Sequence, residues 1–118
     1  MEEFQPRVFK FKAWNREDRL LVKLSTIDFK KGVLYKKDHV LLQFTGMLDK
    51  HDEEIYEMDI LMKQDKKYLV RWHEQQNGWY ILHLPAQASL EPLRNEEART
   101  MKRLWSYFES EANGNESC

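Results

Sequence analysis

The sequence is poor in the residues that staple, break or gate a fold. A single cysteine in 118 residues, Cys118, leaves no internal disulfide partner; this excludes a disulfide-stapled scaffold and fits a reducing cytoplasm. Four glycines and three prolines are scattered, and they form no Gly-x-Gly-x-x-Gly fingerprint, Walker loop or Gly-x-Ser-x-Gly elbow. No apolar run approaches the ~18 residues that a membrane-spanning helix needs. The opening Met1-Glu2-Glu3-Phe4-Gln5-Pro6 is acidic and lacks the apolar stretch of a signal peptide. An excess of one charge is missing too: 19 basic residues meet 20 acidic ones, a net −1. A salt-sensitive grip on nucleic acid rests on a basic excess over the domain or over one face. The total denies the first and leaves a local patch open.

Aromatic residues are plentiful at 13%, with four Trp, five Tyr and six Phe. Each removes a large apolar area from water, so they fill efficiently the modest core of one small domain, which buries roughly two-thirds of its unfolded surface. The first two-thirds of the chain reads as short strands. Phe9, Phe11 and Ala13 alternate with Lys10, Lys12 and Trp14, the period of a strand with one buried and one wet face. A polar turn over 15–19 precedes a second strand running from Leu20 toward Ile27. Lys30-Lys31-Gly32 predicts a hairpin tip, followed by short strands over 33–35 and 39–44. A turn at Thr45-Gly46 and a charged tip over 49–54 lead to a strand opening at Ile55-Tyr56. Tyr68, Val70 and Trp72 share a strand face, and Asn77-Gly78 predicts a two-residue hairpin into Trp79. Strands this short, repeating every ~10–12 residues, predict a small barrel or sandwich.

Pro85 and Pro92 break this pattern. From about Asn95 to Ala112 the spacing predicts one helix. Asn95 is its N-cap, Glu96 and Glu97 sit on the positive end of the dipole, and Ala98, Met101, Leu104, Trp105 and Phe108 form one apolar stripe. Asn113-Gly114 is the expected C-cap, and 115–118 should fray. The expected organisation is a β extension over 1–39, a barrel core over 40–84, an amphipathic helix over 85–112 and a disordered tail over 113–118.

Candidate chemistry is sparse. The acidic loop from Asp49 to Glu54 lacks the offsets of an EF-hand, so a solvated hairpin tip is expected. Asp59, with Tyr56 and Glu57, reads as structural: a carboxylate after a tight turn often accepts backbone N–H bonds. No pair among His39, His51, His73 and His83 has the helical i, i+4 spacing of a zinc site, and His73 and His83 are expected to face each other across the Asn77-Gly78 hairpin. No nucleophile, base and orienting group can be assembled. No catalytic residue, cofactor or metal is therefore predicted, and the chain is not expected to be an enzyme. Two surfaces are candidates. Trp79, Met101, Trp105 and Phe108 are the candidate partner-binding residues, with packing inside the chain and pairing with a protein partner or a second copy both open for the helix stripe. Trp72 is expected in the core. The alternative is nucleic-acid binding by Lys10, Lys12, Lys30, Lys31, Lys36 and Lys37, provided they form one contiguous surface.

The segment from Val40 to Ile60 carries a resemblance. Gln43, Phe44, Thr45, Gly46, Asp49, Lys50, Glu54, Ile55, Tyr56, Glu57, Asp59 and Ile60 match the hallmark of the YopX-like family of phage and prophage proteins, with Phe44 where the family usually has Tyr. Upstream, Phe9-Lys10-Phe11-Lys12-Ala13-Trp14-Asn15 is similar to the family's opening strand; downstream, Val70-Arg71-Trp72 and Gly78-Trp79-Tyr80-Ile81 resemble its closing hairpin. The resemblance covers most of 9–84 and leaves out the predicted helix. It implies a mainly β fold with one C-terminal helix, a small SH3-like β-barrel preceded by an N-terminal β extension. Together with the missing catalytic constellation and the aromatic stripe, the resemblance leads to the expectation of a non-enzymatic accessory protein of the host bacterial cytoplasm that docks on a protein partner, with homo-oligomerisation open and, from the phage context, a host regulatory or defence protein as the target class. Two glycines of the family pattern are Asp52 and Met58 here. Either those turns do not require positive φ, or the loop differs in shape. A partner that the family reached through that loop does not carry over.

Overall fold

A computed structural model of the chain describes residues 4, 6–85 and 90–112. The fold is mainly β. In chain order the elements are β1 (Phe11–Asn15), β2 (Leu20–Lys23), β3 (Asp28–Lys30), β4 (Val33–Tyr35), β5 (His39–Leu48), β6 (Glu54–Tyr56), β7 (Asp59–Lys63), β8 (Lys66–His73), β9 (Gly78–Leu84), β10 (Leu90–Pro92), α1 (Asn95–Ala98), β11 (Lys102–Ser106) and α2 (Tyr107–Ala112). Two sheets, ordered β2-β1-β5-β6 and β10-β9-β8-β7-β11, curl into a half-barrel, while β3 and β4 form a separate two-stranded ribbon. The expectation of a small β-barrel with a C-terminal helix holds. No helix among the described residues is long and apolar enough to cross a membrane.

The two sheets meet at a corner between β6 and β7. Its turn residues are Glu57 and Met58, and their amides diverge: Glu57 N–H donates to Gln43 of β5, and Met58 N–H to Val70 of β8. The carbonyl of Met58 accepts from Tyr107 N–H, which fastens α2 to the same corner. Met58 has φ +67° and Asp52 has φ +65°. Both sites adopt the left-handed backbone that glycine takes at low strain. A residue with a side chain there adds strain, on the order of 1–2 kcal/mol per residue. Asp tolerates that region better than Met does.

Thr45-Gly46 is a bulge within β5 and not the expected turn. Strand β5 runs on to Leu48, and its register on β6 shifts between Phe44 and Leu48. Gly46 supplies φ +86°, and Thr45 Oγ1 both donates to Ile55 C=O (2.8 Å) and accepts from Met47 N–H (3.1 Å). A glycine in the left-handed region with a bent strand is the signature of a bulge. A Cβ on Gly46 would meet nothing within 4 Å. Gly46→Ala is accordingly expected to destabilise by about 1 kcal/mol from backbone strain alone, measured by denaturant unfolding with an unchanged m-value.

The predicted helix over 95–112 is replaced by a turn of helix, a strand and a short helix. Asn95 is the first helical residue of α1; the N-cap is Arg94, in extended backbone and without a side-chain cap. Strand β11 then pairs with β7, whose Ile60 and Leu61 are fully buried. An uncovered β7 would leave the backbone groups of a buried strand unpaired, and that requirement outweighs helical periodicity. The five residues of the expected stripe separate. Ala98 and Met101 enter a core with Met47, Ile55, Leu61, Val70 and Ile81; Leu104 and Trp105 pack on Ile60, Leu69 and Leu84; Phe108 stacks on Trp14. Trp14 is thereby buried on the strand face expected to be wet.

The hairpin near Asn77 also differs. His73 pairs with Gly78, so 74–77 form a four-residue loop and Gly78 belongs to β9. His73 lies beside Tyr80 and His83 beside Tyr68, and the two histidines do not pair. Trp72 and Trp79 are cross-strand partners in edge-to-face contact at 5.1 Å. Trp72 is 41% exposed rather than in the core, and Trp79 is the one packed inward. Elsewhere the turn chemistry holds: Lys31 and Gly32, with φ +53° and +82°, close the β3–β4 ribbon as a mirror-image hairpin turn. The expected cap at 113–114 and tail at 115–118 lie outside the described residues.

Candidate functional site

Two buried aspartates explain why the hallmark segment holds its shape. Asp49 is fully buried, not part of a solvated tip. Its Oδ1 accepts N–H bonds from His51 (2.7 Å) and Glu53 (2.9 Å), and its Oδ2 accepts one from Arg103 N–H (2.7 Å). One carboxylate thus shapes the 49–53 loop and fixes it to β11. Burial pushes the Asp49 carboxyl up, but the three backbone donors outweigh it and leave it below the ordinary value. Arg99 reaches the same loop, donating to Asp49 C=O and Asp52 Oδ1.

Asp59 follows the corner turn and accepts Tyr56 N–H at 2.8 Å, as its position after the turn predicts. It also takes a two-pronged contact from Arg103, Nε to Oδ2 at 2.9 Å and Nη2 to Oδ1 at 3.2 Å. Arg103 therefore holds both aspartates, one through its backbone and one through its guanidinium. Burial raises the Asp59 carboxyl against the pull of Arg103.

Above this anchor lies a cleft of about 670 Å³, lined by 9–12, 23–27, Glu53, Glu54, Tyr56 and Arg103. Lys12 Nζ sits 4.4 Å from the centre of the Tyr56 ring. Tyr56 OH donates to Glu54 Oε1 (3.1 Å), and the other oxygen of Glu54 accepts from Lys10. Burial, then the negative charge and hydrogen bond of Glu54, push the Tyr56 phenol up to about 12. The Lys12 ammonium is lowered, first by burial and then by the like charge of Arg103.

A second exposed feature is the β3–β4 ribbon. All six of its strand residues are exposed, and Phe29 (70%), Val33 (66%), Leu34 and Tyr35 are large and apolar. Phe29 faces Leu34 on one side, while Val33 beside Lys30 and Tyr35 beside Asp28 lie on the other. Both faces of the ribbon therefore offer apolar area.

The sequence-derived candidates fall in different places. Met101 is buried and Trp79 half-buried in the first core cluster. Trp105 packs on the second cluster with Lys67 Nζ over its ring, and Phe108 stacks on Trp14 at 5.4 Å. Among the six lysines, Lys10 and Lys12 line the cleft, Lys30 and Lys31 sit on the ribbon, and Lys36 and Lys37 follow it. Lys23, Arg103 and the ribbon's apolar residues were not singled out by sequence reasoning. The four-residue turn over 16–19 carried a usable signal, because counting back from it sets Lys12 opposite Lys23. Nothing local signals the hold of Arg103 on the two aspartates, which lie 44 and 54 residues away, although Glu109 approaches its guanidinium at 3.9 Å.

A family model described as YopX protein matches residues 10–108. The match continues past 84 through β11 and into α2, so the segment carrying Arg103 belongs to the family pattern. Comparison with curated proteins found no match.

Proposed function

The chain belongs to the YopX family, and on that premise we propose that it is a non-enzymatic phage or prophage accessory protein that docks on a protein partner through the β3–β4 ribbon. One observation carries this reading: a two-stranded ribbon presenting Phe29, Val33, Leu34 and Tyr35 to solvent. A two-stranded ribbon is marginal in water by itself, and contiguous exposed apolar area marks interaction sites. The ribbon pairs with no third strand among the described residues, so a partner segment can add to its edge, with apolar side chains against Phe29 or Tyr35. Lys30, Lys31, Lys36 and Lys37 around it favour acidic flanks on that segment. The hallmark carboxylates support the same reading, since Asp49 and Asp59 are committed to backbone amides and to Arg103.

The test compares proteins captured from a bacterial lysate by the wild type and by Phe29→Asp/Tyr35→Asp. Both side chains are exposed, so the variant is expected to keep the wild-type melting temperature and to lose the specifically captured protein. Light scattering on both proteins reports self-association through the same surface. Capture of the same proteins by the variant and the wild type would overturn the assignment. Retention of single-stranded DNA at low salt, lost on replacing the ribbon lysines, would favour nucleic acid instead.

A further inference from the structure

The cleft brings together two lysines that the fold leaves without an ion-pair partner. Lys12 and Lys23 are direct cross-strand partners on β1 and β2, and both line the cleft. Like charges placed opposite each other in an antiparallel pair are destabilising. The neighbouring cations are satisfied: Lys10 bonds Glu54, and Arg103 bonds Asp59. Lys12 and Lys23 have no carboxylate within ion-pair distance among the described residues, and Asp59, Glu109 and Glu54 attract Lys12 only from farther off. The Lys12 ammonium is half-buried against the Tyr56 ring, where its charge is less well solvated. Glu53 and Glu54 also line the cleft, and Glu54 is already engaged by Lys10 and Tyr56.

Two cross-strand lysines without an ion-pair partner suit a ligand carrying about two negative charges on one group, and a phosphomonoester carries about −1.5 to −2 at neutral pH with three strong acceptor oxygens. The hydroxyls of Ser25 and Thr26 line the same cleft and add donors. Phe9 and Phe11 supply apolar lining for the rest of a ligand, and about 670 Å³ is within the range of small-molecule sites. We propose that this cleft binds a small-molecule phosphomonoester of about mononucleotide size, its phosphate held between Lys12 and Lys23 and its body against Phe9 and Phe11. This site is separate from the ribbon and stands whether or not the ribbon docks a protein.

Calorimetric titration and thermal shift with adenosine 5′-monophosphate, inorganic phosphate and adenosine test it, using the full chain. Adenosine monophosphate is expected to bind and raise the melting temperature, phosphate to bind more weakly and compete, and adenosine to do neither. Lys12→Met and Lys23→Met should each weaken binding by about tenfold or more. Lys23→Met should melt at or above the ligand-free wild type, because it removes one half of a like-charge pair and leaves the Lys12–Tyr56 contact in place. That second reading separates a lost site from a lost fold. Failure of both phosphates to bind at millimolar concentration, unchanged binding in both variants, or binding of a single-stranded oligonucleotide alone would overturn the proposal.

Discussion

Arg103→Met is expected to destabilise the fold by about 3–5 kcal/mol, the usual loss when one partner of a buried ion pair is removed. Asp59 is 1% exposed, and Arg103 supplies its only cationic hydrogen bonds among the described residues. Without the guanidinium, Asp59 keeps the Tyr56 N–H and the more distant charge of Lys12 but loses its hydrogen-bonded counter-charge while still buried. The backbone N–H of Arg103 still serves Asp49 in the variant, so the loss isolates the side chain. Adding Asp59→Asn removes the stranded charge and should recover a large part of the stability. Denaturant unfolding of the two single variants and the double variant gives the coupling directly. Additive losses would show that Asp59 and Arg103 do not act as a pair.

Asp49→Ala is the second large effect, expected at about 3 kcal/mol, because three backbone N–H donors lose a charged acceptor at once. Its signature is in the pH dependence. The folded carboxyl titrates below the ordinary value of 3.8. The stability it contributes is therefore fully present above that value and is lost as pH falls through the lower folded one. Asp49→Asn keeps the shape and removes the titration. The gap between wild type and Asp49→Asn should be widest near neutral pH and should close in the acid range. A gap independent of pH would show that the negative charge is not what holds the loop.

The parts of the fold legible in the sequence are those with local causes. The existence of strand β1, though not its expected wet face, the Lys31-Gly32 tip and the carboxylate of Asp59 behind its turn all follow from neighbours in the chain. The C-terminal segment was misread because its apolar residues do recur at helical spacing, while the deciding factor lies ~40 residues away in the open edge of β7. Met58 shows the converse. Its side chain argues against positive φ, yet the corner's hydrogen bonds, Glu57 N–H to Gln43, Met58 N–H to Val70 and Tyr107 N–H to Met58 C=O, hold it there. The cleft was half legible: Lys10 and Lys12 stand out in the sequence, but their different fates follow from Glu54 pairing with Lys10 alone. For the ribbon, the lysines drew the reading toward nucleic acid, while the exposure of Phe29 and Val33 is visible only once β3 and β4 are seen apart from both sheets.

The docking claim is tested most directly by amide hydrogen exchange on the chain, free and in complex with the protein it captures. A thinly supported ribbon opens readily, so the amides of 28–35 should exchange fast in the free protein and be the most strongly slowed in the complex. Protection confined to other elements, with 28–35 exchanging as fast in the complex as in the free chain, would contradict the account.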